Sequence, residues 1–501
     1  MKFLSALKDK LRAITDAVER YPLTMLLLVL AAVCFAIQIQ TDKVLHTTLW
    51  ALSVGAILVT TAQAVYERFF EKRGSRWLLF GAALLLSFGY YMIIRREPSL
   101  TLEGAIRTSV AEFALVVAYI YVPSIKSKID FNQSFMAAFK AFFQAILFAG
   151  VLFLGCSLVY AAIDTLIARL NYRVWQHTAN IVFVLFAPIL FLSLIPLYPG
   201  KAQAKGDAKR EEALAKAVQC PKFLEVLLSY IMLPLAAAFT TIPVYYIVRN
   251  IGGSFWTNNL LEPMLVSYAI AILILYILAS SVENRMADLF RRIFPKVLVP
   301  IVLFQIAASL INFQNTGLTH TRYFVILFGA FAAISGILLS FLPLRINGAV
   351  AALLIAFAVV SIVPPVDAFT VSRVSQTRLL ESVLESNGML DGGTVVPKAS
   401  IPDADKRKIA RIVEYLEMMQ YTRTVAFLPK DFMIYEDFAD TFGFSTYELP
   451  GEPSKPVYVM LDPATPIMLA GYDTLVRVNY YKDGGTPVEI AGIVKGTRTY
   501  R

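Results

Sequence analysis

Pro364–Leu380 reads PPVDAFTVSRVSQTRLL, and this stretch decides the fold. Before it lies a long, almost uninterrupted series of apolar segments. After it the composition becomes that of an ordinary water-soluble chain. The first part reads as membrane and the second as a folded domain held at the membrane surface.

The composition agrees. Apolar residues make up 57% of the chain and charged residues 16%, with a mean hydropathy of +0.62. Soluble domains carry about 45–50% apolar and about 25% charged residues. The excess comes in blocks of roughly 17–25 residues, which as helices rising about 1.5 Å per residue cross a hydrocarbon core of about 30 Å. The expected fold class is an α-helical polytopic membrane bundle of about eleven transmembrane helices followed by a small soluble α+β domain. Spans are expected near Leu23–Ile39, Thr48–Val65, Trp77–Ile94, Thr108–Val122, Ala141–Ile163, Ile181–Leu197, Phe223–Val248, Met264–Val282, Val297–Phe313, Tyr323–Leu342 and Ile346–Val363. The chain divides into an interfacial amphipathic helix (1–22), the bundle (23–363) and the C-terminal domain (364–501).

Charge patterning orients the bundle. Lys and Arg gather in the N-terminal segment, around Glu67–Arg76, Ser124–Lys128, Lys201–Lys222 and Arg285–Lys296, and at Arg345; the alternate connections hold few. The positive-inside rule places the first set in the cytoplasm, with a cytoplasmic N-terminus and an extracytoplasmic C-terminal domain. The net charge of +10 is thus loop charge facing anionic lipid, not a nucleic-acid footprint. In the N-terminal segment Phe3, Leu4, Leu7, Leu11, Ile14 and Val18 share one helical face, which suits a helix lying in the interface or packed on cytoplasmic loops. No cleavable signal peptide is expected. The three cysteines, Cys34, Cys156 and Cys220, form no disulfide framework.

Beyond the last span, Ser372–Asn387 has helical periodicity and stops at Asn387-Gly388. A second helix follows, with Asp403 as its expected N-cap and Ile409, Ile412, Val413, Leu416 and Met419 as its apolar stripe. PKDFMIYEDFADTFGF (429–444) reads as a short aromatic helix. PVYVML (456–461), DTLVRVNYY (473–481) and PVEIAGIV (487–494) read as strands, the last two joined by a hairpin at Lys482–Gly485.

Two stretches exceed generic membrane composition: NTGLTHTRYF (315–324) between the ninth and tenth expected spans, and VSRVSQTRLLESVLESNG (371–388) after the last. Gly317, Leu318, Thr319, Arg322 and Tyr323 form a GLTxxRY element; Ser372, Ser375, Gln376, Arg378 and Leu379 form an SxxSQxxRL element. With the number of spans, these resemble a family of bacterial polytopic membrane proteins, domain of unknown function 4153, over Phe131–Phe444 and extending to the membrane part. The resemblance implies architecture and no activity.

The expected topology puts both elements on the outer surface, where Thr319, Arg322, Tyr323, Ser372, Ser375, Gln376 and Arg378 could meet. They would form a polar, cationic binding floor or, more simply, a clamp in which Arg322 and Gln376 tie the tail to the bundle. The outer basic residues are nearly all arginine (Arg95, Arg96, Arg107, Arg169, Arg173, Arg249, Arg322, Arg373 and Arg378), which suits anionic lipid headgroups or ordinary snorkelling. Glu112, inside the fourth span and near Arg107 and Glu103, is an intramembrane carboxylate and hence either functional or paired with an arginine. Lys140, Asp164 and Gln305 rank lower. His46, His177 and His320 all fall beside outer loops, which chance explains better than a metal site.

HExxH, GxSxG, GxxxxGK[ST] and dinucleotide fingerprints are all missing, and neither cofactor nor metal is expected. The function expected is that of a non-enzymatic multi-pass protein of the bacterial cytoplasmic membrane, presenting its C-terminal domain outside the cytoplasm. Its partners would be the bilayer, anionic headgroups and an extracytoplasmic envelope protein. A transporter or lipid-carrier handler is the first alternative, given prolines at 188, 196, 234, 243 and 300. A lipid-carrier-dependent transferase is the second.

Overall fold

The computed structural model of the chain describes residues 14–95, 101–201, 208–250, 262–311, 316–446, 467–469 and 472–475. Among them, ten helices are long and apolar enough to cross a membrane. The bundle comprises α1 (14–20), α2 (Pro22–Thr41), α3 (His46–Phe69), α4 (Arg73–Ile94), α5 (Leu102–Tyr121), α6 (Phe131–Leu166) and α7 (Arg173–Leu194). It continues with α8 (Ala208–Val218), α9 (222–250), α10 (Glu262–Ala279), α11 (Arg285–Ile311), α12 (His320–Phe341) and α13 (Gly348–Ile362). The expected eighth span is the shorter apolar helix α10, so about eleven spans in the sequence reading become ten of spanning length.

Local chemistry sets the helix ends. Pro22 opens α2, where its missing N–H removes a donor the helix could not satisfy. Asp130 and Gln133 form a capping box at the start of α6, with Gln133 N donating to Asp130 Oδ1 at 2.9 Å. Thr101 caps α5 and Thr319 caps α12. Segments of π-helix at Ile181–Phe186 and Leu228–Met232 interrupt α7 and α9.

The outer surface is apolar: Leu85 and Leu158 are each 72% exposed. Such a surface is stable against lipid and unfavourable against water. The interior gathers around α10, whose Tyr268, Ala269, Ile272 and Tyr276 are nearly inaccessible. Gly336 lets α12 lie close on α11, because a Cβ there would stand 2.8 Å from Val299 Cγ2 and 3.0 Å from Pro295 O. Ala17 of α1 and Tyr21 just after it pack into the bundle, while Val18 of the expected apolar face points outward. Most of that face, residues 3–11, lies outside the described residues.

After α13 come α14 (Ala368–Ser386), two-residue antiparallel strands β1 (Leu390–Asp391) and β2 (Thr394–Val395), α15 (Asp403–Met418) and α16 (Ile434–Phe442). Phe369, Leu380, Leu384, Ile409, Val413, Leu416 and Phe442 form their core, against which Ile106, Tyr323 and Phe324 of the bundle also pack. The unit is therefore seated on the end of α5 and α12 through shared apolar contact. Pro402, not Asp403, holds the N-cap position of α15, and Asp403 is the first helical residue. A last antiparallel pair joins β3 (Ile467–Leu469) and β4 (Tyr472–Leu475). β4 overlaps the start of the strand expected at 473–481 and β3 was not anticipated. The strands expected at 456–461 and 487–494, and the hairpin at 482–485, lie outside the described residues.

Candidate functional site: the junction between the bundle and the following unit

The two sequence elements meet. Gly317 turns the chain into α12 with φ +65°, a conformation that disfavours any side chain. A Cβ at Gly317 would also stand 2.7 Å from Gln376 Nε2, so the glycine is needed for close approach as well. Gln376, 2% exposed, donates from Nε2 to the carbonyl of Thr316 at 3.0 Å. Ser375 Oγ accepts from Leu318 N at 3.0 Å. The Tyr323 hydroxyl donates to the carbonyl of Val366. Five residues of the two elements, Gly317, Leu318, Tyr323, Ser375 and Gln376, thus hold α14 and the exit before it on the turn.

Other members go elsewhere. Arg322 N donates to Thr319 Oγ1 at 3.4 Å, closing the α12 cap, and its guanidinium turns back onto Thr316 Oγ1. Of the clamp expected from Arg322 and Gln376, Gln376 ties the tail to the turn, joined by Ser375 and Tyr323, while these two bonds of Arg322 stay within its own turn. Ser372, fully buried, faces α15: its Oγ accepts from the Tyr415 hydroxyl at 3.1 Å and donates to Phe369 O at 3.1 Å. Tyr415 OH in turn accepts from His320 N at 3.0 Å and lies 3.0 Å from His320 Nδ1. Since Tyr415 gives its one proton to Ser372, Nδ1 of His320 carries a hydrogen in this arrangement. His320, which the sequence left to chance, is thus a structural member of the junction, ring-stacked on Phe369 and Tyr415. Arg378 joins none of this; it is exposed and lines a groove beside Ser375.

A second contact lies across α5. Asp367, fully buried, caps α14 by accepting at Oδ1 from Phe369 N (3.0 Å) and Thr370 N (3.1 Å). Arg107 pairs with the same oxygen at 2.7 Å and with Glu103 at 2.7 Å. It also donates to Ile362 O and lies 4.7 Å from the Phe369 ring. Glu103 then accepts from the Tyr421 hydroxyl at 2.7 Å. Burial pushes the Asp367 carboxyl up, but the hydrogen bonds from Thr370 and Phe369 and the Arg107 charge outweigh it and hold it below the usual carboxylate range. Burial and the neighbouring Glu103 push the Tyr421 hydroxyl well above its ordinary value. Asp367 Oδ2 has no hydrogen-bond partner among the described residues. The helix begins at Ala368, four residues before the expected start at Ser372, so the cap signal of Asp367 was passed over, and the cap's cationic partner was beyond reading.

Among the described residues Glu112 pairs with no arginine. Its Oε1 accepts from Ser53 of α3, because Arg107 points the other way toward Asp367. Lys140 donates to the carbonyls of Lys216 and Gln219 at the end of α8, and Asp164 Oδ1 accepts from Leu170 N. Gln305 is buried with no partner for its amide among the described residues. Among those residues, no group of three or more His, Cys, Asp or Glu could hold a metal ion.

The far end of α5 carries an assembly the sequence reading missed. Arg20 meets Glu67 bidentately, at 2.8 and 2.7 Å, and donates to Ile195 O at 3.0 Å. Gln63 donates to Glu67 at 2.8 Å and accepts from Arg76 at 2.9 Å. The signal was Gln63 and Glu67 at i, i+4 on an otherwise apolar helix, where they would share one face.

A family model for a domain of unknown function (DUF4153) matches residues 25–387. The match covers most of the chain, through α2 to α14 and both elements of the junction. The chain belongs to this family. No curated protein and no solved structure matches it.

Proposed function

We propose that the chain is a non-enzymatic multi-pass protein of the bacterial cytoplasmic membrane. Its bundle, residues 23–363, mounts the unit at 364–501 outside the cytoplasm for a partner in the cell envelope. The N-terminus is cytoplasmic on this reading, as the distribution of Lys and Arg among connections favours.

The observation that carries the reading is the interlock itself. Gln376 binds the Thr316 carbonyl, Ser375 the Leu318 amide, and Asp367 the Arg107 guanidinium. These polar groups satisfy one another instead of converging on open space, as substrate-turning groups would. A rigid mount is what such pairing supplies.

Paired reporters fused after Arg501, one active only outside the cytoplasm and one only inside, test the orientation. Activity of the outside reporter alone is expected; activity of the inside reporter alone would overturn it. Gln376→Ala and Ser375→Ala, singly and together, test the mount. Strong coupling between the two in stability is expected, and simple additivity would remove the interlock as a unit.

A further inference from the structure

We propose that the groove along α14 binds one anionic phospholipid, its phosphate against Arg378 and its tails along the end of α13. The proposal rests on the membrane reading of the bundle and not on which side the C-terminal unit faces.

The groove has a volume of about 520 Å³ and is lined by Gly317, Pro365, Val371, Val374, Ser375 and Arg378, among others. That size falls within the range of about 300–1,000 Å³ usual for small-molecule sites. Val371, Ser375, Arg378 and Ser382 recur at i, i+4, i+7 and i+11, so one face of α14 forms the floor. The lining is amphipathic. Valines and Pro365 offer apolar surface, while Arg378, Ser375 and Ser382 offer donors.

Charge narrows the occupant. Several arginines of the same set are engaged: Arg107 by Asp367 and Glu103, Arg173 by Asp42, and Arg322 by Thr316. Arg378 is exposed and makes no ion pair among the described residues, with Glu381 nearby on its own helix. A free guanidinium fork matches phosphate oxygens bidentately. None of the residues lining the groove is acidic. A zwitterionic headgroup would therefore find no carboxylate there for its cation, which favours a lipid of net negative charge.

Position narrows it further. Pro365 in the groove wall follows within three residues of the end of α13. Val359, Val360 and Val363 on that last turn and exit are 41–48% exposed, and Val366 is 54% exposed. These exposed valines precede and follow Pro365 closely in the chain, at the end of a helix of membrane-spanning length, and offer apolar surface to acyl chains. A free phosphate would leave that surface unused.

The test uses purified full-length protein in detergent micelles, with bound lipid counted by native mass spectrometry. The probes are dioctanoyl phosphatidylglycerol, dioctanoyl phosphatidylcholine and inorganic phosphate. One phosphatidylglycerol is expected to be retained more tightly than phosphatidylcholine. Arg378→Gln should weaken phosphatidylglycerol by about tenfold or more, the scale of a lost charge-assisted hydrogen-bond pair. Val374→Trp, which fills the groove, should do the same, and Arg378→Lys should lose less than Arg378→Gln. Both altered side chains are exposed, so thermal unfolding should match the unsubstituted protein; if Val374→Trp lowers it, Arg378→Gln decides alone. Equal phosphatidylglycerol binding by Arg378→Gln would overturn the proposal. So would equal retention of phosphatidylcholine, or displacement of the lipid by equimolar phosphate, which would mark a free-anion site. Because micelles have no sides, an unexpected reporter orientation leaves this result intact.

Discussion

Two arginine–carboxylate assemblies stand at opposite ends of α5, roughly 18 Å apart along a helix rising about 1.5 Å per residue. The Arg20 assembly is closed on itself. Its guanidinium is matched bidentately by Glu67, which Gln63 also supports, and the remaining donor goes to the Ile195 and Pro196 carbonyls. All its members belong to the helical bundle or its connections. The Arg107 assembly is open. Its partners, Glu103, the Ile362 carbonyl and Asp367, come from three segments, and Asp367 lies 260 residues away in sequence. One carboxylate oxygen of Asp367 remains without a partner among the described residues. The same chemistry thus fastens a bundle to itself at one end and to the following unit at the other.

The largest effect should come from cutting the open assembly. Asp367→Ala leaves Arg107 without its buried partner and removes the cap of α14. Breaking a buried pair costs about 3–5 kcal/mol, and losing a cap adds about 1 kcal/mol. Limited proteolysis of the exit at 364–367 should show the C-terminal unit released from the bundle. The double substitution Arg107→Leu with Asp367→Leu should be milder than either alone, since no charge is then stranded at the buried Asp367 site, while Glu103, partly exposed, keeps the Tyr421 hydroxyl. Glu67→Ala should destabilise by less, about 2–3 kcal/mol, because Arg20 keeps its carbonyl partners. It should lower thermal stability while leaving the exit protected. If it released the unit as readily as Asp367→Ala, the division between the two ends would be gone.

Acid should separate the ends as well. The Asp367 carboxyl lies below its ordinary range when folded. Its stabilisation is therefore full above the unfolded value of about 3.9 and is lost as pH falls through the folded one. Proteolysis at the exit should stay flat from pH 7 to about pH 4 and rise below that. Asp367→Asn should remove the rise; an unchanged profile in that variant would assign the acid sensitivity to another group.

The spans were legible because each needs only a run of apolar residues of sufficient length, a local property. Helix α10 shows where this stops: Tyr268, Ala269, Ile272 and Tyr276 are as apolar as a lipid-facing run, yet they are the buried core. Hydropathy reports transfer from water and does not distinguish lipid from protein interior. The junction elements were legible as unusual short polar strings, and Gly317, Ser375, Gln376 and Tyr323 do meet there. What the sequence could not supply was pairing at a distance. Glu112 had Arg107 five residues before it on the same helix, but i, i+5 does not share a face, and Asp367 claims the arginine. Arg20 and Glu67 looked like loop charges because their partnership depends on how α1 turns into α2 at Tyr21.

A smaller effect should come from Gly317→Ala, which forces a side chain into left-handed backbone and against Gln376. The strain is of order 1–3 kcal/mol. It should appear in release of the unit and vanish in large part when Gln376 is also shortened to Ala, because the steric share of the strain then has room. Tyr415→Phe should be smaller again. The ring remains to stack on His320, with centroids 5.8 Å apart, but the hydroxyl that joins His320 N to Ser372 Oγ is lost. Ser372 keeps its bond to Phe369 O, and the His320 amide, at the first turn of α12, is the kind of helix-end donor that water can satisfy. A loss of about 1 kcal/mol follows. It should be non-additive with Ser372→Ala, since both cut the same bridge, and additive with Glu67→Ala at the other end of the bundle. Coupling to Glu67 would mean that the two ends are not independent and that α5 transmits between them.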